Sequence, residues 1–374
     1  MLISHKTLKV YGLISLLVYS SFSAGFISAQ SIHIKNLKCE YLENPIGIDN
    51  MHPRFTWQID DSSHGVYQTA YQLIVGTDSS DIAIVKGSIS QTNKIISSHN
   101  LAIYSGKELR PFTKYYWKVA AWINNKQFIS PVQSFETGML SVSDWKGSWI
   151  SDGENINLKP APYFRKEFDA AKSIKSARAY ITAAGLYELY INGKRIGDHR
   201  LDPAFTRFDR RTLYVTYDIT QQIQSGKNAI GVILGNGWYN FQSQAVWDYE
   251  RAPWRNRPAF CMDLRITYTD GTEETISSDR SWKTSLGPIV YNSIYTGEHY
   301  DARLEQQGWN EINYDDGKWK NAIYRKSPAE YITAEAMQPI RNVEEIGPVS
   351  ITKKNDSDYI FNLDATLQAL LALR

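Results

Sequence analysis

The sequence predicts an all-β chain of two successive sandwiches, and three observations carry that prediction. Beyond residue 30, almost no stretch places apolar residues at the 3.6-residue helical period. Short alternating runs bounded by Gly, Asn, Asp and Pro recur instead, the pattern of half-buried strands joined by tight turns. Aromatic residues make up 13% of the chain, with 11 Trp and 24 Tyr, a bias that suits pleated surfaces packed face to face. At 374 residues the chain has room for two or three domains. Its formal charge of +2 argues against a polyanionic partner such as nucleic acid.

Residues 1–29 read as a secretion signal. Lys6 and Lys9 supply the basic start, Tyr11 to Phe22 the apolar run, and Ala24 or Ala29 the small residue before a cut. The run is too short and too Ser-rich for a spanning helix. The expectation is export to the periplasm or the exterior, with no membrane span after signal cleavage. Cys39 and Cys261 fit no metal-ligand spacing. They fall in different predicted domains and are expected to be free and buried; a disulfide formed after export is the alternative.

The first module covers residues 30–140. Strands are expected at Arg54–Ile59, Tyr71–Gly76 and Tyr115–Trp122. In the last, Tyr115, Trp117, Val119 and Ala121 share one face, and Tyr116, Lys118, Ala120 and Trp122 the other. Asn124-Asn125-Lys126 is a hairpin turn, and Trp57 reads as a core tryptophan. Pro111 to Trp117 resembles the turn and strand before the final hairpin of fibronectin type III domains.

A linker at 141–150 leads to a second module at 151–330. Arg178–Thr182, Leu186–Ile191, Ala229–Leu234 and Ala259–Tyr268 read as strands. Asn192-Gly193 between apolar runs is a strong hairpin signal, and Thr269-Asp270-Gly271-Thr272 is a second turn. Length and strand count suggest a jelly-roll sandwich of the galactose-binding type. Residues 331–374 are too few to fold alone and read as the start of a further β-domain. Ile340–Ile351 and Tyr359–Leu363 are its candidate strands.

Chemistry is harder to find. Inverting glycosidases need two carboxylates with room for a water between them. With 39 Asp and Glu, spacing cannot select such a pair. Asp315-Asp316 and Glu273-Glu274 sit in apparent turns and read as solvated. Gly235-Asn236-Gly237 leads into Trp238-Tyr239 and not into a helix, which excludes a phosphate cradle. The loop after Gly235 nevertheless alternates aromatics and amides through Phe241-Gln242, Trp247-Asp248-Tyr249 and Trp254-Arg255. Such a mix can stack on and hydrogen-bond a sugar. The competing reading is an aromatic mini-core under a long loop.

These stretches, taken with their order, resemble bacterial α-L-rhamnosidases of glycoside hydrolase family 78. The matching strings are Leu186 to Asp198, Leu201-Asp202-Pro203, Gly235-Asn236-Gly237-Trp238-Tyr239, Gly297 to Arg303, and Pro339-Ile340-Arg341. The resemblance spans roughly residues 32–363 and identifies the N-terminal, non-catalytic part. It implies a fibronectin-like sandwich, then a rhamnosidase N-terminal jelly roll, then a further β-domain. The catalytic (α/α)₆ barrel and its acidic pair would follow, so no catalytic residue is carried over and the chain alone is expected to be inactive. The full-length family acts on terminal α-L-rhamnosides of plant or microbial glycans. The implied partner is a rhamnose-containing oligo- or polysaccharide. No cofactor is required, and calcium is a candidate ion for the jelly roll.

The sugar-contact candidates are Asn192, Asp202, Asn236, Trp238 and Tyr239. Asn192 is the weakest, since a tight turn alone would want Asn-Gly there. Asp301 and Arg303 are expected to form a structural ion pair or to pin a turn. A stand-alone carbohydrate-binding or accessory protein, and an adhesion protein using the first module, are the alternatives. The tail Asp364–Arg374 has neither glycine nor β-pattern. One restored base, in a permitted set of codons, turns it into a Gly-Cys-Asn-Phe-Thr-Gly string of the kind the family shows here. The expectation is a shifted reading frame after Leu363.

Overall fold

Alternating burial along each strand sorts the side chains of the first module between an interior and two outer surfaces. The computed structural model describes residues 32–61, 65–84, 86–244 and 247–363. The expected secretion signal and the tail Asp364–Arg374 lie outside the described residues. One sheet of the first module has the order β1 (His33–Cys39), β2 (Arg54–Asp60), β6 (Leu101–Ile103). The other runs β4 (Ser90–Gln91), β3 (Gln68–Gly76), β7 (Lys114–Ile123), β8 (Lys126–Ile129). Strand β5 (Ile95–Ile96) also pairs with β3, and β9 (Gln133–Glu136) with the other end of β7. β8 and β9 thus share one strand position, split at Pro131, which has no N–H to give a ladder.

Tyr115, Trp117, Val119 and Ala121 all enter the core between these sheets, with Phe55, Trp57 and Phe135. The indole of Trp57 donates to Gln68 Oε1 at 2.9 Å, so its one polar atom is satisfied inside. Lys118, on the other face of β7, is buried as well. Its Nζ donates to the carbonyl of Ala83 at the end of the short helix α1 (Ser79–Ala83), and burial pushes its pKa down. Asn124 and Asn125 both have positive φ, which gives the two-residue turn whose twist suits the β7–β8 hairpin.

The second module packs two larger sheets. One has the order β24 (Ile323–Tyr324), β10 (Ile150–Ser151), β18 (Ala259–Tyr268), β12 (Ile174–Ala184), β16 (Arg211–Asp218), β25 (Tyr331–Ala334), with β19 (Glu273–Ser277) also on β18. The other runs β14 (Lys194–Arg195), β13 (Leu186–Ile191), β17 (Gly226–Gly235), β11 (Pro162–Ala170), β20 (Lys283–Leu286), β23 (Lys320–Asn321). Neighbours are antiparallel except β16 and β25. Phe164, Ile181, Leu189, Ile230, Val232, Phe260, Leu264 and Trp282 fill the space between the sheets. Burying a side chain of this size contributes roughly 1.5–3 kcal/mol. Cys39 and Cys261 are buried free thiols, one in each module.

Three arginines tie segments to this frame, Arg257 and Arg165 fully buried and Arg178 partly so. Arg257 meets Asp152 at 2.7 Å and donates to the carbonyls of Leu158 and Pro160. Arg165 donates to the carbonyls of Trp309 and Glu311 and pairs with Glu167 and Asp316. Asp316, expected to be solvated, is partly exposed and anchored by this pairing. Arg178 belongs to the joint between modules. Its Nε and Nη2 donate to the two carboxylate oxygens of Glu136 on β9, at 2.9 and 3.0 Å, and Asp218 lies on its far side. Beside this pair, Tyr214 donates its hydroxyl proton to Gly47 O and accepts from Met139 N. A Cβ at Gly47 would lie 1.9 Å from Thr216 Oγ1, so only glycine lets β16 approach this closely. Phe112 packs on Tyr180, with Arg265 above its ring.

The segment expected as a linker is docked on the second module. Lys146 N donates to Asp263, Ser148 N to Ser278 O, and Trp149 and Ile150 are buried. Toward the end of the described residues, the expected strand Ile340–Ile351 is broken. Only β26 (Ile340–Arg341) and β27 (Ser350–Lys353) form, because Gly347-Pro348 interrupts the run. β26 pairs with β15 (His199–Arg200), and β27 pairs with β28 (Tyr359–Asn362) in a two-stranded hairpin exposed on both faces.

Glu136→Ala is expected to lower stability by roughly 2 kcal/mol, because it leaves Asp218, itself half-exposed, as the one carboxylate on Arg178. The double variant with Arg178→Ala should cost less than the sum of the single losses in urea unfolding. Strictly additive losses would contradict a coupled pair. Burial also pushes the phenols of Tyr104 and Tyr239 up to about 12 from 10.0. Between those values the unfolded chain loses protons that the folded chain keeps, so stability should fall as pH rises through this window. A urea midpoint unchanged from about pH 9.5 to about pH 11.5 would refute it.

Candidate functional site

Strands β13 and β17 run antiparallel, with Leu186 opposite Gly235, so the loop before β13 and the loop after β17 meet at one end of the second module. A hairpin of β21 (Ile289–Ser293) and β22 (Gly297–Tyr300) joins them there. Asn292 Oδ1 of β21 accepts from Asn236 N at 2.7 Å, and Asn236 Nδ2 also donates to Asn292 O at 3.1 Å. Gly237, at φ +49°, turns the chain against Leu186 just before Trp238, which packs partly buried on the neighbouring aromatic cluster.

The five sequence candidates do not form one cluster. Asn192 has positive φ in the two-residue turn between β13 and β14. Its side chain donates to Gln222 O and Asn228 Oδ1 and accepts from Ala229 N, so its polar atoms stitch the turn to β17. Asp202 is buried. Its Oδ2 accepts from Tyr217 OH at 2.7 Å and lies 2.9 Å from His199 Nδ1. Tyr187 OH joins Tyr217 OH at 3.1 Å, and burial raises both phenols. Arg341 of β26 reaches Asp198 beside this network at 2.7 Å. The network therefore latches the third segment to the second module. Glu335, whose carboxyl is raised by burial and accepts from Ala204 N, sits against it and was not singled out from sequence. No local motif marks it, because its partners are more than a hundred residues away.

Asn236 is buried and occupied by Asn292, and Tyr239 is buried against Phe208 at 5.2 Å between ring centroids. Trp238 alone among the five is a partly exposed ring. It lies 5.7 Å from Phe205, 5.2 Å from Tyr249, 5.3 Å from Tyr295 and stacked 5.9 Å from Phe241. The mini-core reading of this loop thus has a physical counterpart. Phe208, Tyr239 and Phe241 form a mini-core, while Phe205 and Tyr295 are exposed at its rim. Those two rings come from segments some 90 residues apart, which is why the sequence could not join them.

Carboxylate chemistry is sparse at this end. Glu298 has its pKa raised by burial and then by the neighbouring Glu188. Glu188 is itself engaged by Tyr190 OH at 2.6 Å and Arg195 at 3.1 Å. Asp301 caps the turn Ala302–Leu304 and pairs with Arg303 at 2.6 Å, the pinning contact expected of that string. Among the described residues, no group of three His, Cys, Asp or Glu is placed to hold a metal ion.

Residues 34–141 match the family model described as a Rha78A-like N-terminal immunoglobulin domain, and residues 172–344 match the α-L-rhamnosidase N-terminal domain. An α-L-rhamnosidase of Formosa agariphila is 33% identical over 366 residues, covering 88% of this chain and 38% of the relative. The solved α-L-rhamnosidase of Dictyoglumus thermophilum superposes with TM-score 0.79 at 39% identity, over 88% of this chain and 38% of that one. A Streptomyces avermitilis α-L-rhamnosidase, solved with L-rhamnose, superposes with TM-score 0.80 at 21% identity, over 89% and 49%, which shows the shared fold. The chain spans under two fifths of the length of the first two of these proteins. Sequence, fold and family models agree that it belongs to the α-L-rhamnosidases of glycoside hydrolase family 78, in which it corresponds to the N-terminal β-domains.

Proposed function

We propose that this chain is the N-terminal, non-catalytic part of an exported α-L-rhamnosidase that removes terminal α-L-rhamnose from plant or microbial glycans. The observation that carries the reading is the match of 88% of the chain to 38% of a relative, through models of N-terminal domains. The third segment supports it. Ile340, Val343, Val349, Ile351, Tyr359 and Phe361 are all exposed. A lone two-stranded hairpin is marginal in water, so β27 and β28 call for further β-structure and apolar cover. In this reading the two sandwiches form a preset arm, and the latch at Asp198, His199 and Arg341 fixes the direction in which the polypeptide leaves it.

A second reading, a carbohydrate-binding or accessory protein recognising rhamnose-containing glycans, is favoured by the exposed rings around Trp238. In either reading the chain holds no residue assigned to bond cleavage. The purified chain is expected to release no p-nitrophenol from an aryl α-L-rhamnoside above an empty-vector control. Release that survives purification and scales with protein concentration would overturn the non-catalytic reading.

A further inference from the structure

One face of the β21–β22 hairpin gathers hydrogen-bond donors and carries no carboxylate of its own. The register sets Tyr291 opposite His299 and Asn292 opposite Glu298, so the two pairs lie on opposite faces. Ser293, two residues beyond Tyr291, shares the Tyr291 face, and Thr296 follows in the turn. Glu298 lies on the other face, where Glu188 is its charged neighbour. Basic side chains attend the Tyr291 ring instead. Lys159 Nζ lies 5.5 Å from its centroid, and the His299 ring packs at 5.3 Å. Lys159, Thr296 and His299 are exposed, and Tyr291, Ser243 and Ser293 are partly buried, so the cluster is open to solvent.

The hydroxyls on this face hold one proton more than they can place among themselves. Thr296 Oγ1 donates to Tyr291 OH at 3.2 Å. Ser243 Oγ, from the loop after β17, lies 2.8 Å from Tyr291 OH and 3.2 Å from Ser293 Oγ. Four hydroxyls thus share three hydrogen bonds. Ser293 also accepts from Tyr295 N, which brings no further acceptor. Whichever way the Ser243 bonds run, one O–H of Tyr291, Ser243 or Ser293 is left for an acceptor from outside the chain. The local field favours negative charge as well. Donation by Ser243 and Thr296, with the Lys159 cation, holds the Tyr291 phenol below its ordinary value of 10.0 against the cost of burial. Tyr300, at the base of the same hairpin, is pushed up to about 12 by burial and by Glu305. A negative oxygen is stabilised at one end of the hairpin and penalised at the other.

We propose that the Tyr291 face of this hairpin is a binding site for an oxyanion, a sulfate ester or a carboxylate carried by a larger molecule. The anion accepts the spare hydroxyl proton, Lys159 supplies the countercharge, and His299 offers a further ring N–H. A neutral hydroxyl could accept the same proton but would gain nothing from Lys159. Hydrogen bonds to a charged acceptor are roughly twice as strong as those between neutral groups, which selects the anion. Sulfate ester and carboxylate present the same chemistry to these donors, and the two are separated by experiment. The site stands apart from the reading of the chain as a rhamnosidase N-terminal part, which requires no anion.

The test titrates the whole chain with sodium sulfate and with sodium acetate, against sodium chloride at equal ionic strength to remove general screening. The readout is NMR of the histidine ring protons, with the His299 signal identified by its loss in His299→Gln. The expected result is a saturable shift of that signal with sulfate, acetate or both, at a Kd on the order of 1 mM. Sulfate alone assigns the site to sulfate esters, acetate alone to carboxylates, and both together to either group. Tyr291→Phe keeps the ring and Lys159→Gln keeps the chain length, and each should weaken binding about tenfold. Lys159 is exposed, so its variant folds even where Tyr291→Phe disturbs the hairpin. Equal affinity in the wild type and the folded Lys159→Gln variant would overturn the site. So would a His299 signal that moves no further with sulfate or acetate than with chloride. Neither result bears on the family to which the chain belongs.

Discussion

The pairing of Glu136 with Arg178 sets the geometry on which the rest of the molecule depends. Glu136 ends the last strand of the first sandwich, and Arg178 lies in the central strand of the second. Two parallel hydrogen bonds between a planar guanidinium and a carboxylate fix both distance and orientation. Removed from water, each charge is tolerable only while the other is present. Tyr214, held between Gly47 O and Met139 N, adds a second fixed point a short distance away. Two such points suppress the hinge motion that is the default between domains.

A second polar network governs where the chain goes next. Tyr187, Tyr217, Asp202 and His199 run from the interior of the second module to its surface, where Arg341 and Asp198 meet. Asp202 therefore serves the architecture, as do Asn192 and Asn236. Their side chains are consumed by contacts that close a turn, a strand end and a loop. What the fold leaves open at this end is aromatic, and it lies on the loops rather than on the strands.

Much of this was legible from residue pattern alone. The alternation in Tyr115, Trp117, Val119 and Ala121 gave the core face of β7. The Ala259–Tyr268 and Leu186–Ile191 runs gave strand limits that the fold reproduces, and Asn192-Gly193 gave its turn. Long-range partners were illegible. Nothing near Asp316 announces that Arg165 lies behind it, and nothing near Phe205 announces Tyr295. Polar residues beside aromatics in a turn suggest a binding site and a well-satisfied loop equally well, because both need amides and rings. Only the hydrogen-bond partners separate the two, and for Asn192, Asp202 and Asn236 the partners are internal.

A rigid joint has a thermodynamic signature that no single contact can mimic. If Glu136, Arg178 and Tyr214 couple the sandwiches, neither can unfold while the other stays native. Scanning calorimetry of the chain should then show one endotherm for both modules, whose calorimetric and van't Hoff enthalpies agree. Replacing Arg178 and Tyr214 by Ala and Phe should split it. Two separate endotherms in the unaltered chain, with the first module melting while the second keeps its native tryptophan signal, would contradict the account.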